Sequence, residues 1–181
     1  MAAFFREYRD TLLAFTGIII ALLSLWFTWS QRQEQIKHNH ISVEPRMNAY
    51  FSNDGRVNKS GIYIINNGMG TAFVSAISVT VNGKKVEPVA GNILVGAVQA
   101  LGLDIQCFVI GGPRPNDSFK VGEEIFLIEA RGTDERCSGD SLILRSAALD
   151  SARLDFVLDI ESIYGDRFRY VYSQNKQIKR D

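Results

Sequence analysis

Two hydrophobic periods divide this chain. No charged residue falls between Thr11 and Gln31, and the apolar positions there are nearly continuous: Leu12 to Phe15, Gly17 to Leu23 and Leu25 to Phe27. At about 1.5 Å per residue, a helix of roughly 20 residues covers the ~30 Å hydrocarbon core of a bilayer. Beyond residue 40 the period changes to two, the spacing of strands. The pattern predicts a transmembrane helix over 11–29, tethering a mainly β domain to the lipid bilayer.

Aromatics flank the predicted span, Phe4, Phe5 and Tyr8 before it and Trp26 and Trp29 at its end, where amphipathic rings settle among headgroups. A core helix of this length would show a polar face. A cleaved signal peptide has a shorter apolar stretch and small residues at the cut, whereas this one leads into Trp29-Ser30-Gln31-Arg32. The reading is an uncleaved, single-pass signal anchor. It divides the chain into a tail (1–10), the span (11–29), a polar stalk (30–40) able to prolong the helix, a β domain (41–175) and a C-terminal tail (176–181).

Within the span, Ala14, Gly17, Ala21, Ser24 and Thr28 recur at alternating spacings of three and four, which makes one stripe. Small residues so placed let helices approach closely in lipid. The stripe is a candidate packing face for a second copy or a partner membrane helix. Charge leaves the direction open: Arg6 and Arg9 precede the span, and Arg32, Lys37 and Arg46 follow it. That is nearly a tie under the positive-inside rule.

In the β region the first strand is read over His40 to Phe51, with Pro45 marking an edge or a bend. Gly61 to Ile65 is a second. Ala72 to Val81 is a third, with Ile77, Val79 and Val81 on one face. Asn82-Gly83 is a two-residue hairpin signal, since a type I′ turn needs positive φ at both positions, and Lys84 to Val89 would return. Ile93, Leu94, Ala97, Val98 and Leu101 predict a short helix within 91–103. Strands follow over Gln106 to Ile110 and Glu123 to Ala130. Ser141 to Ala152 reads as a helix, although Leu142-Ile143-Leu144 also suits a strand. Leu154, Phe156, Leu158 and Ile160 alternate with more polar positions, and a turn at Tyr164-Gly165-Asp166 leads into Arg167 to Tyr172. About eight such strands with one or two short helices suit an immunoglobulin-like antiparallel β-sandwich; an antiparallel barrel is the alternative.

Chemistry changes this picture little. Twenty basic and twenty acidic residues cancel, so no nucleic-acid groove is expected. Cys107 and Cys137 could close one loop in an oxidising compartment and are two ordinary thiols in a reducing one, and the spacing does not choose. His38 and His40 are the two histidines, both in the stalk region, which leaves a hydrolytic triad without a base in the domain proper. Gly68-Met69-Gly70 lacks the third glycine and following helix of a nucleotide fingerprint. It reads instead as backbone that needs positive φ, with Asn66, Asn67 and Asp166 as turn residues. Asp155, Asp159 and Glu161 read as a solvated strand face, with paired catalytic acids as the alternative. No catalytic residue, cofactor or metal site is expected.

His38-Asn39-His40-Ile41-Ser42-Val43-Glu44-Pro45, Ile65-Asn66-Asn67-Gly68-Met69-Gly70-Thr71-Ala72 and Ile160-Glu161-Ser162-Ile163-Tyr164-Gly165-Asp166 together carry a resemblance. The chain resembles a loose group of uncharacterised bacterial single-pass membrane proteins with a β-sandwich domain. That group shares a His-Asn-x-x-Ser-Val-x-Pro start and an Asn-x-Gly-x-Gly turn. The resemblance implies this architecture, a bacterial inner-membrane setting and, from the basic residues that usually follow the helix there, a cytoplasmic domain. This chain departs from the group at Thr71, where the group often has Pro after the second glycine, and at His40, where a basic residue is common.

The expectation for function is a membrane-anchored, non-enzymatic binding or assembly module that presents its sandwich to an unidentified protein partner or to itself as a homo-oligomer. The alternative is a membrane effector or sensor, in bacterial stress or phage defence, whose helices assemble in the bilayer when the β domain binds a ligand.

Overall fold

A computed structural model describes residues 2–56, 59–131 and 135–180, without the side chains of residues 2–8, 10, 11 and 135. Phe4, Phe5, Tyr8 and Arg6 therefore lie outside the described side chains. The chain divides into two units, Met1–Ile41 and Ser42–Asp181.

The first unit is one helix, α1 (Ala2–Ser42), 41 residues long. At 1.5 Å per residue it measures about 60 Å, twice a hydrocarbon core. The helix therefore continues through the polar stalk. Along Leu12 to Trp29 every large apolar side chain is more than half exposed. Nothing among the described residues covers them; a bilayer would. Three polar side chains in the span are satisfied internally, as lipid requires. Thr16 donates to the Leu12 carbonyl at 2.7 Å, Ser24 to Ile20 at 2.8 Å and Thr28 to Ser24 at 2.8 Å.

In the second unit two antiparallel sheets face each other, as the alternating pattern predicts. One sheet runs β1 (Met47–Asp54), β2 (Lys59–Asn66), β7 (Glu124–Ala130), β5 (Phe108–Ile110). The other runs β10 (Lys176–Arg180), β9 (Arg167–Val171), β8 (Leu154–Glu161), β3 (Ala72–Val81), β4 (Lys84–Lys85), with β6 (Ser118–Phe119) on the far part of β3. The inner faces supply the core. Met47 and Ala49 from β1 and Ile62 and Ile64 from β2 meet Val79 and Val81 from β3 and the whole apolar row of β8. Phe168 and Tyr170 complete it from β9. α2 (Ile93–Ala100) buries Leu94, Ala97 and Val98, capped by the Asn92 side chain on the Leu94 N–H. α3 (Ser138–Leu149) buries Leu144, Ala147 and Ala148 and leaves Leu142 outside, which resolves the ambiguous Leu142-Ile143-Leu144 as helix.

Several boundaries move. The helix persists to Ser42, so β1 starts only at Met47, after Pro45. The hairpin at Asn82 (φ 51°) and Gly83 (φ 73°) forms as expected, but its return strand is only two residues long. β6 had no signal, being a short bridge onto the start of β3. The segment read as a tail, 176–181, holds β10: Asn175 takes left-handed φ and turns the chain back along β9.

Candidate functional site

Asn66 is read from the sequence as a turn residue, yet it is fully buried at the end of β2. Its carboxamide uses every group it has. Oδ1 accepts the N–H of Arg46 (3.1 Å) and of Gly68 (3.0 Å), and Nδ2 donates to the carbonyls of Gly70 (2.8 Å) and Phe119 (3.2 Å). The glycines beside it are likewise not needed for positive φ, because neither Gly68 nor Gly70 has it. A Cβ on Gly70 would lie 1.7 Å from the Val43 carbonyl oxygen, and one on Gly68 2.3 Å from the Arg46 nitrogen. The glycines let the segment that leaves α1 lie against the loop after β2. This motif locks the start of the domain.

The acidic row of β8 is neutralised across the sheet. Asp159 takes a two-pronged contact from Arg169, 2.8 Å on each oxygen, and Arg180 lies 3.8 Å from it. The Arg169 guanidinium, through that hydrogen bond first, holds the Asp159 carboxyl below its ordinary range against a smaller opposing effect of burial. Glu161 pairs with Arg167 at 3.0 Å. Asp155 instead ties a turn, accepting the Ser173 N–H at 2.9 Å and hydroxyl at 2.7 Å. Asp159 and Glu161 do share a groove of about 370 Å³ with Ser75, Arg167 and Arg180. Asp159, held low by Arg169, is a poor proton donor near neutral pH.

An outer-face cluster went unnoticed in the sequence. Tyr50 and Tyr63 are cross-strand neighbours on β1 and β2, their rings stacked with centroids 5.9 Å apart. Tyr50 donates to Glu124 at 2.9 Å and Tyr63 to Glu129 at 2.5 Å; Lys59 pairs with Glu124 and sits 5.0 Å from the Tyr63 ring centre. Burial first, then the hydrogen bond to Glu129, raises the Tyr63 hydroxyl well above its ordinary value. Lys59 holds the Glu124 carboxyl low. The group is closed on itself: each polar end has its partner within the cluster. Its signal in the sequence was spread over three strands whose pairing only the fold decides.

Cys107, ahead of β5, and Cys137, at the start of α3, form a disulfide across 30 residues, with Cα atoms 5.3 Å apart. Both are buried. The bond pins α3 to the edge of the first sheet. Among the described residues no group of three or more His, Cys, Asp or Glu is placed to hold a metal ion. The small-residue stripe stays on one side of α1, and a Cβ on Gly17 would meet nothing within 4 Å of its own chain. No family model, no curated protein and no solved structure matches this chain.

Proposed function

We propose that this protein is a bacterial inner-membrane binding or assembly module, without catalytic chemistry of its own, that presents a β-sandwich to a protein partner or to another copy. The observation that carries the reading is α1: a long row of apolar side chains that nothing among the described residues covers, running on without interruption to the start of a folded domain. Glu124, Glu129, Asp155, Asp159 and Glu161 are each engaged by a partner within the domain, which suits a presenting surface better than a reactive cleft. The small stripe, open at Gly17, suits association within the membrane.

The Cys107–Cys137 bond supports placing the β domain on the oxidising, non-cytoplasmic side, because such bonds persist there and are reduced in the cytosol. It weighs against the cytoplasmic side implied by the resemblance. It also breaks the near tie in flanking charge, with Arg6 and Arg9 then inside.

Three measurements test this. Thiol-reactive polyethylene glycol applied to denatured, alkylated whole-cell extracts should leave both cysteines unmodified until a reductant is added; free thiols in growing cells would overturn the placement. Crosslinking of the full chain in native membranes should trap a dimer or a partner, and Gly17→Leu should weaken the trapping if the stripe is the contact. Turnover of a hydrolase substrate panel by the purified full chain, abolished by Asp159→Asn, would overturn the non-enzymatic reading.

A further inference from the structure

β3 is ten residues long, but its outer edge is covered only at its two ends. Ala72 and Phe73 pair with β6, and Thr80 and Val81 pair with β4. Asn116 and Asp117 prolong the first cover by bonding Val74, both at 2.8 Å, and Val86 prolongs the second by donating to the Val79 carbonyl at 2.9 Å. Between these ends, residues 75–78 meet no strand on that side among the described residues.

The ladder to β8 fixes which backbone groups look into the gap. Asn82 donates to the Arg153 carbonyl, and the register continues Val81 to Leu154, Thr80 to Asp155 and Ile77 to Leu158. Alternate residues of an antiparallel pair bond the same neighbour. Residues 80 and 78 therefore bond β8, whereas 79 and 77 turn their N–H and C=O to the opposite edge. Val79, whose carbonyl meets Val86, shows this parity directly. The N–H and C=O of Ile77 and the N–H of Val79 thus face the gap, with no backbone partner there among the described residues.

The gap opens into a groove of about 400 Å³. Its walls include Pro88, Ile93, Pro113 and Pro115, and three of these four have no N–H with which to close the strand edge. Lys85 and Arg114 also line it, against the single carboxylate of Glu87. Neither cation has an ion-pair partner among the described residues.

We propose that this notch receives a short extended segment of a partner protein, carrying an acidic side chain, which adds as a strand to β3. An extended backbone supplies the acceptor and donor that Ile77 offers to bond. The acidic side chain meets the surplus positive charge of Lys85 and Arg114. At ~3.3 Å per residue the gap spans roughly 13 Å, enough for three or four residues in register. The proposal rests on the binding-module reading and gives it a partner chemistry.

The test uses the full chain, isotope-labelled, in lipid nanodiscs. The probe is a blocked peptide Thr-Val-Glu-Val-Thr, with a lysine counterpart and a version N-methylated on alternate backbone nitrogens. Binding of the acidic peptide should shift the Ile77 and Val79 amides and slow their exchange, and the N-methylated version should do neither. Lys85→Glu with Arg114→Glu should weaken the acidic peptide roughly tenfold and favour the lysine counterpart. No response at millimolar peptide, or binding that leaves the Ile77 amide unprotected, would overturn the notch. So would amides that become protected with rising protein concentration alone, since the occupant would then be a second copy. A silent notch with membrane crosslinks intact removes this site and spares the module reading; substrate turnover removes the reading itself.

Discussion

The Tyr170 hydroxyl accepts the N–H of Ala49 at 2.8 Å and donates to the Asn175 side chain at 2.9 Å. Ala49 lies on β1, the edge strand of one sheet, and Tyr170 on β9 of the other, so this contact closes the sandwich along that side. Gln177 repeats the device one step along, accepting the Met47 N–H at 3.0 Å and donating to the Pro45 carbonyl at 2.6 Å. Edge N–H groups that would otherwise invite another strand are thereby occupied. Tyr170→Phe leaves the buried Ala49 N–H without an acceptor. It should lower stability by about 1–3 kcal/mol, seen as a reduced denaturation midpoint of the full chain in mild detergent.

Alkali should act on the same region. Burial pushes the hydroxyls of both Tyr170 and Tyr172 up to about 12. A group whose folded value is raised contributes stability that is complete below its unfolded value, about 10 for tyrosine, and lost as pH climbs through the folded one. The midpoint of unfolding should hold up to about pH 10 and fall between there and pH 12. Tyr172→Phe, which keeps the ring stacked 4.7 Å from Phe156 but loses the 2.8 Å bond to the Ala148 carbonyl, should make that fall shallower.

At the acid end the sign reverses. Arg169 holds the Asp159 carboxyl low, so its contribution is present above the ordinary carboxylate value and is lost as pH falls through the depressed one. Arg169→Met should shift the acid limb of a pH-stability curve to higher pH. Arg180→Met, a longer contact, should shift it less.

Reduction of Cys107–Cys137 should be costly for a domain this size. A closed loop of about 30 residues constrains the unfolded chain by roughly 3–4 kcal/mol. Dithiothreitol, or Cys137→Ser, should lower the thermal midpoint, and the double variant with Cys107→Ser should lose no more than either single one.

Asn66→Ala orphans two N–H groups and two carbonyls at the start of the domain, and should cost about 3 kcal/mol or more. Gly70→Ala should be as damaging, through the Val43 backbone that its Cβ would strike. Gly17→Leu, by contrast, should leave thermal stability of the β domain unchanged.

Much of this architecture is legible in residue order because its causes are local. A run without charge can only be a span or a core, and the alternation of β8 buries Leu154, Phe156, Leu158 and Ile160 whatever strand lies beside it. Asn82-Gly83 specifies its turn by backbone sterics alone. What the residue order left open depends on partners far along the chain. Asn66 looks like any turn asparagine until Arg46 and Phe119 are brought to it. Lys176 to Arg180 looks like a polar tail until β9 offers it a ladder. Cys107 and Cys137 look like two background thiols until α3 docks beside β5, and the notch on β3 exists only because β4 and β6 both stop short. Periodicity reports which face of an element is apolar; it carries no information on which elements meet, and every long-range bond that shapes this domain is a statement about meeting.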